Sequence, residues 1–125
     1  MSWDVEVTDE FAIWYAGLTE RHQKAVEAAV EKLEELGPGL GRQLVGEIKA
    51  TRIKNLKELI PPGGNLRILF AFDSRRSAIL LIGGDKSGRW NAWYREAIPV
   101  AEQLYDAYLA ELHSEGLIDT EGKSR

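Results

Sequence analysis

At 125 residues, 44% of them hydrophobic and 29% charged, the chain can bury one modest core and is read as a single domain over residues 1–113. It has no cysteine, which excludes disulfides, thiolate catalysis and thiolate-bound metals, and no apolar run nears the roughly 20 residues of a spanning helix. The net charge of −4 opposes a generic polyanion binder, and with no basic-and-apolar signal in Met1-Ser2-Trp3-Asp4 the expected location is the cytoplasm, away from membranes.

Trp3-Asp4-Val5-Glu6-Val7 alternates apolar and acidic residues, as a half-buried strand does, and should pair with a larger sheet. Thr8 is placed to cap a helix whose first turn holds Asp9 and Glu10, where the helix dipole favours anions. Phe11, Trp14, Tyr15 and Leu18 recur at helical spacing and predict its buried face. Thr19 caps a second helix with Val26, Ala29, Val30, Leu33 and Leu36 as its apolar stripe. Glu27, Glu31, Glu34 and Glu35 are left for solvent, and Gly37-Pro38-Gly39 ends it. A helical hairpin joined across 17–19 is the expected arrangement. His22 is read as surface or boundary packing because no metal-spaced set accompanies it, and neither a metal nor another cofactor is expected.

Residues 40–54 lack a clear period and are read as a loop with a short strand or turn, mobile enough to wrap a ligand. Three apolar runs follow at 55–60, 66–73 and 77–86, separated by Pro61-Pro62-Gly63-Gly64 and a charged turn. They predict consecutive antiparallel strands. In the middle run Leu66, Ile68, Phe70 and Phe72 share one face and are expected against the helical hairpin. Arg67, Leu69, Ala71 and Asp73 are expected on an uncovered, concave side. A guanidinium keeps its charge, so Arg67 requires either an acid on its own face or an external anion such as a phosphate. A short helix from about Arg89 is expected to stop before Pro99. A final helix then runs from Pro99 to His113 with Ala101, Leu104, Tyr105, Tyr108 and Leu112 inward. Residues 114–125 are read as a flexible tail. The fold class is α+β: an N-terminal strand, a helical hairpin, an antiparallel meander of three to four strands and a C-terminal helix.

The charges are segregated along this order. From Arg42 to Arg95 there are eleven Lys and Arg against four acids, a net of +7, while the remainder carries −11. A cationic sheet region on an anionic helical scaffold suits a protein that grips a polyanion through one face.

This order of elements, with Leu56-Lys57-Glu58-Leu59, Leu66-Arg67-Ile68-Leu69-Phe70-Ala71-Phe72-Asp73, Leu81-Ile82-Gly83-Gly84-Asp85-Lys86 and Trp93-Tyr94-Arg95-Glu96-Ala97, resembles the RelE/ParE toxin superfamily over nearly the whole chain, nearest its HigB-like branch. The resemblance implies a RelE-like fold and a type II toxin-antitoxin toxin. The RelE and HigB branches cleave mRNA on the translating ribosome, and the ParE branch poisons DNA gyrase. It also implies catalytic roles for three residues. Arg67 matches the central-strand arginine that contacts the scissile phosphate, Tyr94 resembles the tyrosine of the C-terminal region, and Lys86 falls near the basic residue after the last strand. The paired lysines of RelE are out of phase with Lys57 and Glu58, which leaves Arg52, Lys54 and Lys57 as further candidates for proton transfer. Those three, with Arg75, Arg76, Arg89 and Trp90, are the candidate RNA-binding residues.

Metal-independent RNA cleavage needs a base for the 2′-hydroxyl, cations for the phosphorane and an acid for the departing 5′-oxygen. Arg67 suits the second role through its bidentate fork. Tyr94, with an ordinary pKa of about 10, is expected to orient or deprotonate the nucleophile, helped by Lys86 and Arg89 lowering its pKa. Lys86 is expected to stabilise charge or transfer a proton, its own pKa lowered in turn. Purely structural readings stand beside these: Tyr94 as a core aromatic beside Trp90 and Trp93, Lys86 as an exposed strand end, and the two tryptophans as packing rather than base-stacking groups. Two other functions remain open, a ParE-like gyrase inhibitor without chemistry and a degenerate toxin acting only as an antitoxin-binding co-regulator. The implied partners are a cognate helix-turn-helix antitoxin, which covers the cationic face or holds the helical hairpin, and the ribosome and mRNA. Operator DNA is implied only through the toxin-antitoxin complex.

Overall fold

The structure is a computed structural model, and it describes residues 3–41, 44–75 and 77–117. Arg76 and residues 118–125 of the expected tail lie outside the described residues. The alternating start of the chain forms β1 (Asp4–Val7), followed by α1 (Asp9–Ala16) and α2 (Glu20–Leu36). Both expected caps form. Thr8 Oγ1 accepts from the Phe11 amide at 3.0 Å and Thr19 Oγ1 from the His22 amide at 3.2 Å, each satisfying a donor that a helix start leaves without an intrahelical partner. Then come β2 (Val45–Glu47), β3 (Lys57–Leu59), β4 (Leu66–Phe72), β5 (Ser77–Asp85) and the long helix α3 (Trp90–Ser114).

The sheet order is β1-β5-β4-β3-β2. Strands β2 to β5 are an antiparallel meander, as the turn signals require, and β1 joins parallel to β5, so the five-stranded sheet is mixed. A bulge sets Leu69 opposite Ile82 but Phe70 opposite Leu80, leaving Leu81 as the extra residue that bends β5. Among the described residues no helix is long and apolar enough to cross a membrane.

Leu66, Ile68 and Phe70 pack with Leu59, Ala78 and Leu80 on Phe11, Val26, Ala29 and Leu33 of the helical hairpin, as their alternation demands. The other face is not uncovered. Leu69, Ala71, Ile79 and Leu81 are removed from water beneath Trp93, Ala97, Ala101 and Tyr105 of α3. Four fully buried apolar side chains on that side make an open face untenable, so Arg67 lies partly under a helix. The loop before β3 is also held there. Ile53 and Leu56 enter the same core, and Glu102 Oε2 accepts from the Thr51 hydroxyl at 2.7 Å and the Arg52 amide at 3.0 Å. This stretch is pinned to α3 rather than free to wrap a ligand.

Two further expectations change. Helix α3 runs through Pro99 without interruption. Proline removes the donor for the Arg95 carbonyl, but Pro99 and Arg95 are both exposed, so water can serve that oxygen. Burial of Ile98, Ala101, Tyr105 and Leu112 along one side outweighs the cost of about 3 kcal/mol for an interior proline. Leu36 is exposed rather than inward, because the buried stripe ends at Leu33, whose carbonyl takes the Gly37 amide that closes α2.

Gly83 and Gly84 let both helical layers approach β5. A Cβ at Gly83 would fall 2.4 Å from the Trp14 ring, and one at Gly84 would fall 2.1 Å from Trp93 Nε1 on the opposite side. Neighbouring strand residues face opposite ways, so the pair admits one indole to each face. Gly84→Ala is therefore expected to push Trp93 and the start of α3 off the sheet, at about 1–3 kcal/mol in urea unfolding. Gly64→Ala, where a Cβ meets nothing within 4 Å, is expected to change stability by less than about 0.5 kcal/mol.

Candidate active site

Arg67 lies near the start of β4, opposite Gly84 of β5. The chain leaves β5 at Asp85, turns through Gly88 in the left-handed region (φ 68°) and enters α3 at Trp90. That reversal brings Lys86, at the end of the strand, beneath the first turns of the helix. Its Nζ donates to the Tyr94 hydroxyl oxygen at 3.1 Å and lies 3.8 Å from the centre of the Trp90 ring, a cation–π contact. The Tyr94 hydroxyl donates to Glu58 Oε1 at 2.7 Å, and Arg67 Nε stands 3.8 Å from that same oxygen. Gly46, paired with Glu58 across β2 and β3, leaves space for the carboxylate, since a Cβ there would fall 2.9 Å from Oε2.

The structure thus brings together Arg67, Lys86 and Tyr94, and adds Glu58, which reading the sequence for bases had passed over. Its signal was available. Glu58 is one of four acids between Arg42 and Arg95, and its neighbour Lys57 pairs with Phe70 on the hairpin face, which turns Glu58 toward the face of Arg67.

Both readings of Arg67 are met in part. Its side chain is only 12% exposed and has an acid beside it, yet the contact is loose. Nη1 donates to the Leu66 carbonyl at 2.8 Å, while the buried Nε finds no hydrogen-bond acceptor among the described residues. Two cations share one carboxylate, so the cluster keeps surplus positive charge and a buried donor for an incoming anion.

Lys86 is not an exposed strand end, being 5% exposed. Burial, and then the charge of Arg67, hold its pKa below the ordinary lysine range, with Glu58 opposing them. Tyr94 moves the other way from the expectation. Burial first, then donation to Glu58 and the carboxylate's charge, push it up to about 12, overriding Arg67. Tyr94 is therefore a hydrogen-bond donor at neutral pH rather than a free base.

The candidate RNA-binding residues are scattered. Arg52 is bound to Asp106 at 2.6 Å and to Glu102 at 3.7 Å. Arg75, at the β4–β5 turn, is held by Asp73, Glu6 and the Tyr108 oxygen, past the end of β4 opposite to that of Arg67. Arg89 pairs with Glu96. Lys57 faces the helical hairpin, where it lines a cleft of about 580 Å³ with Lys49, Glu47, Phe70 and Phe72. The sheet separates that cleft from the Arg67 cluster. Lys54 is exposed in the loop before β3. Trp93 is buried, whereas Trp90 is 55% exposed and its ring touches the cluster through Lys86. His22 is half-buried, as expected of a boundary residue. Among the described residues no group of three or more His, Asp or Glu is placed to hold a metal.

The profile of the family described as phage-derived protein Gp49-like matches residues 14–106. HigB3 of Mycobacterium tuberculosis, which is named as a toxin, is 45% identical over 103 residues, covering 82% of this chain and 90% of HigB3. HigB2 of the same organism, also named as a toxin, is 41% identical over 128 residues. The match takes in 100% of this chain and spans 61% of the length of HigB2. Similar folds occur in the archaeal RelE-RelB complex of Pyrococcus horikoshii (TM-score 0.56, 17% identity, 71% of this chain and 99% of that one). The RelB-RelE antitoxin-toxin complex of Methanococcus jannaschii is also similar (TM-score 0.53, 14% identity, 70% of this chain and 96% of that one).

The raised pKa of Tyr94 has a consequence for stability. Its folded value exceeds that of the unfolded chain, so the stability it contributes is complete below about pH 10 and is lost as the pH climbs toward about 12. Tyr94→Phe should therefore lose less unfolding free energy than the wild type between about pH 9 and pH 11 in urea titrations. Glu58→Gln should bring the Tyr94 transition, read by tyrosinate absorbance, down toward about 10.

Proposed function

The chain belongs to the Gp49-like family, as a HigB-like toxin of the RelE/ParE superfamily, and from that premise we propose that it is the toxin of a type II toxin-antitoxin system that cleaves mRNA and so stops translation. The observation that carries this reading is the convergence of Arg67 with the hydrogen-bonded chain of Lys86, Tyr94 and Glu58 in one cluster with positive charge to spare, beside an exposed tryptophan.

In the proposed reaction the 2′-oxygen of one nucleotide attacks its 3′-phosphorus, the bond to the 5′-oxygen breaks, and a 2′,3′-cyclic phosphate and a free 5′-hydroxyl result. Tyr94 accepts the nucleophile's proton as its own passes to Glu58 along the existing 2.7 Å hydrogen bond, so no free tyrosinate is needed. Arg67 binds the phosphate oxygens and holds the charge that grows on them, using the buried donor that has no acceptor at rest. Lys86, more acidic than an ordinary lysine, gives a proton to the departing oxygen. Trp90 offers its exposed ring to an unstacked base. These steps use this chain's side chains alone, without a metal. The ribosome supplies the positioning of the message, which for a shallow site is worth more than any one contact. A cognate antitoxin, of helix-turn-helix type, restrains the toxin, and the complex rather than the free toxin meets operator DNA. Solved relatives of this fold include RelE-RelB complexes.

Expression of the protein without its neighbour, followed by mapping of transcript 5′ ends with and without translation, tests this reading. New ends are expected only in translated messages. Arg67→Ala and Glu58→Gln should each reduce cutting by about 10²–10⁴-fold with the fold intact by circular dichroism. Intact transcripts with blocked supercoiling would overturn the proposal in favour of gyrase inhibition, and an absence of growth arrest would leave only antitoxin binding.

A further inference from the structure

Glycine weakens the interior of a strand, because it brings no side chain to pack and has the most backbone freedom to lose. Where it stands in one, it often marks a close approach by another group. Gly46 is the middle residue of β2, a strand of three residues at the edge of the sheet. Its neighbour Val45 lies opposite Leu59 and packs with it in the hairpin core, so alternation turns Gly46 and its own partner Glu58 to the α3 face. Burial on the hairpin side fixes that register. A side chain at position 46 would therefore have to share the α3 side with the Glu58 carboxylate.

The crowding falls on the acid. A Cβ at Gly46 would meet Glu58 Oε2 at 2.9 Å, Cγ at 3.2 Å and Cδ at 3.5 Å, and these atoms are its three nearest neighbours. They belong to the outer part of a flexible side chain, which can swing aside while the backbone stays in place. The swing would move the carboxylate to which the Tyr94 hydroxyl donates at 2.7 Å and beside which Arg67 Nε stands at 3.8 Å. A hydrogen bond weakens steeply as its angle closes, so a small displacement is enough to release Tyr94. Arg67 and Lys86, the cations that face the same hydroxyl, lie on β4 and at the end of β5, away from β2.

We propose that Gly46 is a positioning residue of the candidate centre: by lacking a side chain it lets the Glu58 carboxylate lie beside the edge strand with one oxygen on the Tyr94 hydroxyl. Through that contact the nucleophile's proton displaces the tyrosine's own onto Glu58. The role in cutting rests on the RNA-cleaving reading, whereas the placement of the carboxylate does not.

The test uses the full chain with Gly46→Ala, and with Gly41→Ala as a control in the loop before β2, where a Cβ meets nothing within 4 Å. Tyrosinate absorbance is titrated, and the Tyr94 step is assigned by its loss in Tyr94→Phe. Glu58 raises the Tyr94 pKa through its hydrogen bond and its charge, so Gly46→Ala should lower that step from about 12 toward about 10 with circular dichroism and the urea midpoint as in the wild type. Gly41→Ala should leave the step in place. Cutting of translated messages should fall by about 10–10²-fold in Gly46→Ala, the scale of a misplacement of about 1 Å, and adding Gly46→Ala to Glu58→Ala should lower it no further. A Tyr94 step that stays near its wild-type position in Gly46→Ala, or moves equally in Gly41→Ala, overturns the assignment. An unfolded Gly46→Ala protein also overturns it, because the crowding then falls on the fold rather than on the acid. A lowered step with undiminished cutting removes Gly46 from the reaction alone. A lowered step in a protein whose wild type cuts nothing upholds the placement of Glu58 and removes the nuclease.

Discussion

One carboxylate makes the candidate centre possible. Arg67 and Lys86 are 12% and 5% exposed, and two cations so poorly hydrated would repel each other and resist burial without a counter-charge. Glu58 supplies it, accepting from Tyr94 and standing near Arg67 through a single oxygen. It neutralises half of the positive charge and leaves the rest, along with an Arg67 Nε that finds no acceptor among the described residues, open to an incoming anion. A resting state that is incompletely satisfied costs stability, and proteins tolerate such a cost where binding repays it.

The other arginines show how different a structural role looks. Arg75 is bound by two acids and a phenol, and ties the β4–β5 turn to β1 and to the far half of α3. Arg52 holds the loop before β3 to Asp106 and Glu102. These clamps, with Trp93 seated on Gly84, fix α3 at three places along the sheet. Tyr94 is consequently presented from a rigid helix rather than from a loop, and a reactive constellation gains precision when its supports are locked in this way.

The two faces of the sheet divide the labour. The hairpin face carries one aromatic and aliphatic core and the acidic exterior of α2, including Glu27, Glu31 and Glu35. The α3 face buries a second core and, at the start of that helix, the cationic cluster. An anionic scaffold behind and a positive centre in front set up a field that steers a polyanion toward the α3 face.

The residues alone were enough to place the helix caps at Thr8 and Thr19, the hairpin, the alternation along β4 and an antiparallel meander of three to four strands, because each depends on neighbours a few positions apart. They also marked Arg67, Lys86 and Tyr94 as belonging together, through the likeness of short stretches to a known superfamily. Only the tertiary structure decided that α3 continues through Pro99 and covers the face of Arg67, that Glu58 joins the cluster, that Arg52, Arg75 and Arg89 are occupied elsewhere, and that Tyr94 is a weaker acid rather than a stronger one. Those outcomes depend on burial and on contacts such as Tyr94 to Glu58, 36 residues apart, where a charge's surroundings are set by packing and not by its place in the chain.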